Sequence, residues 1–151
     1  MRVNPDGLGR GGSSKPSDGL HAKFPRYGYG DVVTAQHLLV AQRLGVEHLR
    51  AVIGTSMGGM HVWMWAERYP DMMDVAMPIA CQPVAPSGRN FIFRRILTQA
   101  IRNDPDWKGG NYTEQPRSAR VASVFFGIAT SGGNQALYKA APTREKADQL
   151  L

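Results

Sequence analysis

Ser56 is the side chain whose setting in this sequence points most directly to chemistry. It lies in the run Ala51-Val52-Ile53-Gly54-Thr55-Ser56-Met57-Gly58-Gly59-Met60. An apolar segment typical of a buried strand precedes it, and the apolar spacing of a helix follows at once. A G-x-S-x-G sequence between a strand and a helix predicts a sharp, strained turn that exposes a serine hydroxyl as a nucleophile.

The residues around Ser56 would support such a nucleophile. Gly54, Gly58 and Gly59 relieve crowding at the turn and let the helix begin close to the strand. The backbone N–H of Met57 would lie at the helix N-terminus, where a partial positive charge favours a developing oxyanion. The hydroxyl itself remains a weak nucleophile until a base removes its proton.

The sequence offers no evident base for Ser56. In this kind of site an acid and then a histidine follow the serine along the chain. The single histidine after Ser56 is His61, five residues further along the same predicted helix and therefore turned well away from the serine. We expect no histidine to orient the later aspartates, which are Asp71, Asp74, Asp104, Asp106 and Asp148.

A metal site is the other common use of histidine side chains. The four histidines lie far apart in the sequence and form neither an H-x-x-x-H pattern nor a Cys–His cluster; they are His21, His37, His48 and His61. We therefore predict that the protein holds no metal ion.

The elements that would position Ser56 can be predicted from periodicity. Residues 1–30 are rich in turn signals and predict a loop. Asp31 is predicted to cap a helix that reaches Leu44, with Gly45 closing it.

A βαβ unit is predicted around the serine. His48–Ile53 is expected to be a strand buried on both faces, followed by a helix from Met57 to about Tyr69. A second, parallel strand is expected over residues 74–80, although Pro78 removes a ladder donor there. By the usual handedness rule the unit would be right-handed.

The second half of the chain predicts short helices. They are expected over residues 91–102, 118–128 and 134–140, with a loop over residues 103–112 and a last helix capped by Thr143.

Composition excludes several classes of protein. The net charge is +6, but the basic residues are spread along the chain, so we expect no nucleic-acid partner. No apolar stretch reaches the ~18 residues of a membrane span, and we expect no membrane association. Cys81 is the single cysteine, which excludes an intrachain disulfide. It is expected to be a buried thiol. We take the cytoplasm as the default location and leave open whether Met1 is the true start.

Several motifs together resemble the α/β-hydrolase proteins related to homoserine O-acetyltransferase. The elbow Gly54-Thr55-Ser56-Met57-Gly58-Gly59-Met60 is similar to that of the family and far more specific than G-x-S-x-G alone. The other matching segments are Asn4-Pro5-Asp6-Gly7-x-Gly9 with Ser13-Ser14-Lys15-Pro16, the helix over residues 31–44, and Ala100-Ile101 with Asp104-Pro105-x-Trp107-x-x-Gly110-x-Tyr112.

The resemblance implies an α/β fold, divided here into a partial hydrolase core with the nucleophile elbow over residues 1–81 and a helical lid over residues 82–151. It also implies a ping-pong acyl transfer with Ser56 as nucleophile and the Met57 amide as one oxyanion donor. Acetyl-CoA or another acyl thioester would be the donor substrate, and no further cofactor is expected. The other oxyanion donor would precede residue 1, and the family's aspartate and histidine would follow Leu151. A full-length relative could form a homodimer.

The lid departs from the family pattern. Homoserine acetyltransferases carry an arginine and, seven residues later, a tyrosine that help to hold the amino-acid substrate, whereas Ser123 and Thr130 stand at those places here. Neither pairs with a carboxylate as arginine does, although Arg117 or Arg120 could substitute. The acyl acceptor, water included, is therefore open. Two alternatives also remain open for this chain: a non-catalytic binding module, and a truncated, inactive gene product.

Overall fold

A computed structural model describes residues 13–130 and 133–149. The chain divides into two compact units, residues 1–85 (unit 1) and residues 86–151 (unit 2). The matching segment at residues 4–9 lies outside the described residues. The division into hydrolase core and lid stays a prediction.

The predicted βαβ arrangement is present in unit 1. Strand β1 spans Val52–Thr55 and strand β2 spans Ala76–Ile79, and the two pair in parallel with Val52 opposite Ala76. Helix α2, Met57–Arg68, connects them and packs on both strands. The prediction of two parallel strands joined by a helix is thus confirmed.

The predicted bounds of the first strand are wrong. Leu49 forms only an isolated bridge with Met73, because the chain bends at Arg50 before the continuous ladder begins at Val52. At its other end the strand runs two residues further than predicted. The Ser56 N–H donates to the Ile79 carbonyl at 2.9 Å and continues the pairing into the turn.

Pro78 lies inside β2 without interrupting the ladder to β1. The carbonyls of Val75 and Ile79 accept the N–H groups of Val52 and of Ser56, which directly follows β1. Since alternate residues of a strand bond to the same neighbour, the Pro78 nitrogen faces the free edge of β2. The missing N–H therefore costs this sheet no hydrogen bond.

The helix before the sheet begins earlier than predicted. Helix α1 spans Tyr29–Leu38, and Gly28 rather than Asp31 is its N-cap. Asp31 occupies the third helical position, from which its carboxylate accepts the Gly28 N–H at 2.8 Å. A π-helical turn, Leu39–Arg43, extends the helix, and Gly45 follows with φ +63°, as expected for a residue that closes a helix.

The core of unit 1 lies between α1 and α2. Val33, Val40 and Trp65 form its buried centre, and Trp65 is only 3% exposed. The indole N–H of Trp65 donates to the side-chain carbonyl of Gln36 at 3.0 Å, which satisfies the one polar atom of this side chain.

One face of the sheet is open. The prediction that the first strand is buried on both faces is wrong for the described residues. Helix α2 covers one face of the sheet, and the side chains that point to the other face are exposed. Ile53 is 60% exposed, and its register partner Met77 and the flanking Val75 and Ile79 are exposed as well.

Unit 2 consists of helices. They are α3 at Gly88–Arg102, α4 at Arg117–Thr130, α5 at Asn134–Ala140 and α6 at Arg144–Asp148, with a 3₁₀ segment at Pro105–Gly110. Phe93 and Phe125 join α3 to α4 edge to face, with ring centroids 5.5 Å apart. Thr143 caps α6 as predicted, its hydroxyl accepting the Lys146 N–H at 3.3 Å. Among the described residues, no helix is both long and apolar enough to cross a membrane.

Candidate active site

Ser56 lies at the junction of β1 and α2 in a conformation that side-chain-bearing residues rarely adopt. Its φ is +53° and its ψ is −120°, and it is the N-cap residue of α2. A non-glycine residue with positive φ is strained, and such strain is typical of functional turns. The Ser56 N–H is held by the Ile79 carbonyl, so the second strand fixes the turn from the side.

Two of the three glycines are required by space. A Cβ atom on Gly54 would overlap the Gly58 carbonyl group. On Gly59 it would lie 2.5 Å from the Cys81 sulfur and 3.0 Å from the Ile79 carbonyl oxygen. At Gly58 no neighbouring atom lies within 4 Å of the added carbon. The predicted close approach of helix and strand therefore requires glycine at positions 54 and 59. Gly58 takes part in it only through its carbonyl group, which lies against Gly54.

Met57 occupies the first position of α2. The first N–H groups of a helix have no partner within the helix and carry its partial positive charge. Because the Ser56 amide already donates to Ile79, the donors that the turn offers to an anion are the amides of the first turn of α2, which begins at Met57. The described geometry is thus suited to an oxyanion contribution from Met57.

The residue that follows β2 has a positive φ, as does Ser56 after β1. Ala80, directly after the strand, has φ +51°, and Cys81 then packs its sulfur against Gly59. Sequence reasoning treated Cys81 only as a buried thiol, whereas the structure shows it half-buried at the helix start. No pattern in the sequence signals this contact.

His61 does not serve Ser56 in this structure. The side chain is 7% exposed and lies edge-on to the Tyr29 ring of α1, with centroids 5.2 Å apart. Its Nε2 has no hydrogen-bond partner within the described residues. Burial lowers the pKa of His61, which favours the neutral ring.

The expectation that no histidine would pair with a later aspartate is wrong for Asp74. His48 Nε2 lies 2.9 Å from Asp74 Oδ1, and Arg50 lies 3.0 Å from the other carboxylate oxygen. This pair stands at the amino ends of the strands, and the four residues of β1 place it more than about 10 Å from Ser56. Sequence order could not reveal it, because only the register of the strands brings residues 48 and 74 together.

No cluster of three or more His, Cys, Asp or Glu side chains within residues 13–130 and 133–149 could hold a metal ion. Ser123 and Thr130, which the resemblance predicts to stand at the family's substrate-binding positions, lie on α4 of unit 2. The Thr130 hydroxyl donates to the Phe126 carbonyl at 2.8 Å, and Arg117 lies 3.6 Å from the Asp106 carboxylate.

The fold and the serine turn define a class of protein. Residues 3–141 match the α/β-hydrolase fold family, and the chain belongs to that family. The resemblance inferred from the elbow is thereby confirmed.

Individual relatives indicate which members of the α/β-hydrolase family this chain resembles. The chain is 46% identical over 130 residues to a homoserine O-acetyltransferase of Solidesulfovibrio magneticus, covering 85% of this chain and 31% of the relative. It is 41% identical over 113 residues to a homoserine O-succinyltransferase of Magnetococcus marinus, covering 74% of this chain and 28% of the relative. An acetylester hydrolase of Corynebacterium glutamicum superposes with a TM-score of 0.74 at 30% identity, covering 95% of this chain and 45% of that one. The chain thus spans less than a third of the length of these two curated relatives.

Proposed function

We propose that this chain carries the nucleophile segment of a serine acyltransferase or esterase of the homoserine O-acetyltransferase type, with Ser56 as the nucleophile. The observation that carries the proposal is the strained Ser56 turn, held by Ile79 at the N-terminus of α2. Ala80 has a similar positive φ without a reactive side chain, so the proposal depends on this strain together with the hydroxyl of Ser56 and its place at a helix N-terminus.

The proposed reaction has two steps. A base takes the proton of the Ser56 hydroxyl, Oγ bonds to the acyl carbon of a thioester such as acetyl-CoA, and the thiolate leaves and is protonated. An acceptor hydroxyl or water then attacks the acyl-serine, the acyl–Oγ bond breaks, and Ser56 regains its proton. The Met57 amide would hold the oxyanion formed in each step, and a donor of this kind contributes roughly 3 kcal/mol to lowering the barrier.

The similarity to these relatives does not identify the acyl acceptor. The two curated relatives are a homoserine acetyltransferase and a homoserine succinyltransferase, and the structural neighbour is an ester hydrolase. Ser123 and Thr130, at the positions aligned with the substrate arginine and tyrosine, lack the bidentate cation that an amino-acid carboxylate favours. We therefore keep both an alcohol acceptor and water in the proposal.

The base is the part of the reaction that these residues do not supply. His61 is buried against Tyr29, and His48 is bonded to Asp74 at the amino ends of the strands. We propose that the chain by itself carries out no triad turnover. A histidine and an acid from further polypeptide would complete the site in the family order.

Two measurements test the proposal. The chain is treated with a serine-directed fluorophosphonate and the modified residue is located by mass spectrometry, with Ser56→Ala as control. We expect slow, substoichiometric labelling, and rapid stoichiometric labelling of Ser56 would contradict the absence of a base.

In the second measurement a relative provides the rest of the polypeptide, including the missing base. Residues 13–130 replace the matching segment of the Solidesulfovibrio magneticus relative, and acyl transfer from acetyl-CoA to homoserine and to water is followed separately. We expect an acetyl group on Ser56 that is absent in Ser56→Ala. A folded chimaera without this adduct would overturn the role of Ser56, and the ratio of the two products would identify the acceptor.

A further inference from the structure

The amino ends of the two strands are joined by a side-chain bridge centred on His48. The His48 Nδ1 lies 3.0 Å from the Asp71 main-chain carbonyl oxygen, and Nε2 lies 2.9 Å from Asp74 Oδ1. A carbonyl and a carboxylate only accept hydrogen bonds, while a neutral imidazole carries one N–H. Only the imidazolium donates to both, so the geometry selects the doubly protonated ring.

The surrounding charges belong to the same bridge. Asp74 shares its carboxylate between His48 and Arg50, whose Nη1 lies 3.0 Å from Oδ2. Asp71 contacts the ring through its main-chain oxygen, and Glu47 precedes the ring in the chain. The negative charge in contact with the ring is therefore that of Asp74, and Arg50 competes for it.

The bridge lies beside the part of the strand pairing that is isolated from the continuous ladder. Leu49 donates to the Met72 carbonyl at 2.7 Å and accepts from the Asp74 N–H at 3.0 Å, but the bend at Arg50 separates this pair from the ladder. Leu49, Met72 and Met73 also pack against the core cluster of Val33, Val40 and Trp65. Opening here would loosen the two segments that lead into β1 and β2.

We propose that His48, Asp71 and Asp74 form a proton-operated clip that fixes the amino ends of β1 and β2 while the imidazole is doubly protonated. Loss of one proton leaves two acceptors facing each other on one side of the ring. The clip then opens on that side, and the isolated Leu49–Met73 bridge loses its support.

The direction of the pH dependence follows from the bridge. The side-chain hydrogen bond to Asp74 raises the pKa of His48 above its ordinary value. A histidine whose folded pKa is raised contributes its full stabilisation below the ordinary value of about 6.5. That contribution disappears as the pH rises through the raised value.

Amide hydrogen exchange and the histidine Cε1 resonances of the intact chain test the clip. We expect the protection factors of the Leu49 and Asp74 amides to fall about two- to fivefold between pH 6 and pH 8.5, the range expected for an exposed ion pair. His48→Gln should remove this pH dependence, and His21→Gln, which removes a histidine outside the clip, should retain it.

Two further variants should shift the midpoint of the His48 titration in opposite directions. Asp74→Asn removes the negative charge and should move the His48 titration to lower pH, while Arg50→Gln removes the competing cation and should move it to higher pH. These shifts are read from the His48 resonance and stay interpretable if His48→Gln does not fold. A His48 titration at the ordinary imidazole value, or one that neither variant moves, would overturn the proposal.

Discussion

The two units of this chain are built by different means. Unit 1 has a buried centre, in which Val33, Val62 and Trp65 lie within a few per cent of complete burial. In the described part of unit 2 only Ala122 and Pro116 are buried, and the 15-residue helix α3 buries none of its side chains. Unit 1 thus has a buried apolar centre, whereas in unit 2 helix caps and contacts between half-buried rings join the helical segments.

The residues singled out in the sequence lie in both units. Ser56 lies in unit 1, where the sheet and the glycines leave little freedom to the backbone. Ser123 and Thr130, which the resemblance predicts to stand at the family's substrate-binding positions, lie on α4 of unit 2, where side chains are mostly exposed. The constrained turn at Ser56 and the largely exposed helix α4 should therefore differ in how well they tolerate substitutions.

The largest expected effect is the loss of Trp65. Trp65→Ala removes the centre of the unit 1 core and leaves the Gln36 side chain without its partner, so we expect a cost of about 3–5 kcal/mol in unfolding free energy. Trp63→Ala is the matched control, because Trp63 lies on the same helix but is 44% exposed, and should cost less than about 1 kcal/mol. Urea unfolding followed by far-ultraviolet circular dichroism measures both, and equal losses would show that Trp65 is not the packing centre of unit 1.

The next effect concerns the backbone at the serine turn. Gly54→Ala places a methyl group against the Gly58 carbonyl, which cannot move without displacing the helix start. We expect a loss of about 1–3 kcal/mol. Gly58→Ala meets open space on a helix and should be neutral or stabilising by up to about 1 kcal/mol. Thermal unfolding separates the two variants, and a tolerated Gly54→Ala would show that the turn is less constrained than its geometry indicates.

The smallest effect is expected in unit 2. The Asp104 carboxylate accepts the Asp106 N–H at 2.9 Å and the Ser118 N–H at 2.8 Å, and so caps two successive helical segments. Asp104→Ala should cost about 1 kcal/mol and weaken amide protection at the start of α4, whereas Asp104→Asn should retain part of both. Glu114→Ala removes an exposed carboxylate as control. Should both alanine variants exchange alike, the capping role of Asp104 would have to be abandoned.

Local patterns were sufficient to predict much of the fold. The strand–turn–helix at Ser56, the parallel second strand and the cap at Thr143 follow from periodicity and capping chemistry over a few residues. Element ends were less certain, because they depend on neighbours: Gly28 replaced Asp31 as the cap of α1, and the bend at Arg50 shortened the first strand.

The sequence by itself determined the class of the protein. A nucleophile elbow needs only a short run of residues in the right order, and this run also carries the likeness to the family. Tertiary structure decided which residues meet across the sheet: Ile79 with Ser56, Cys81 with Gly59, and His48 with Asp74. These pairs are separated by up to 26 residues, and their contact depends on strand register and helix packing, which no local pattern encodes.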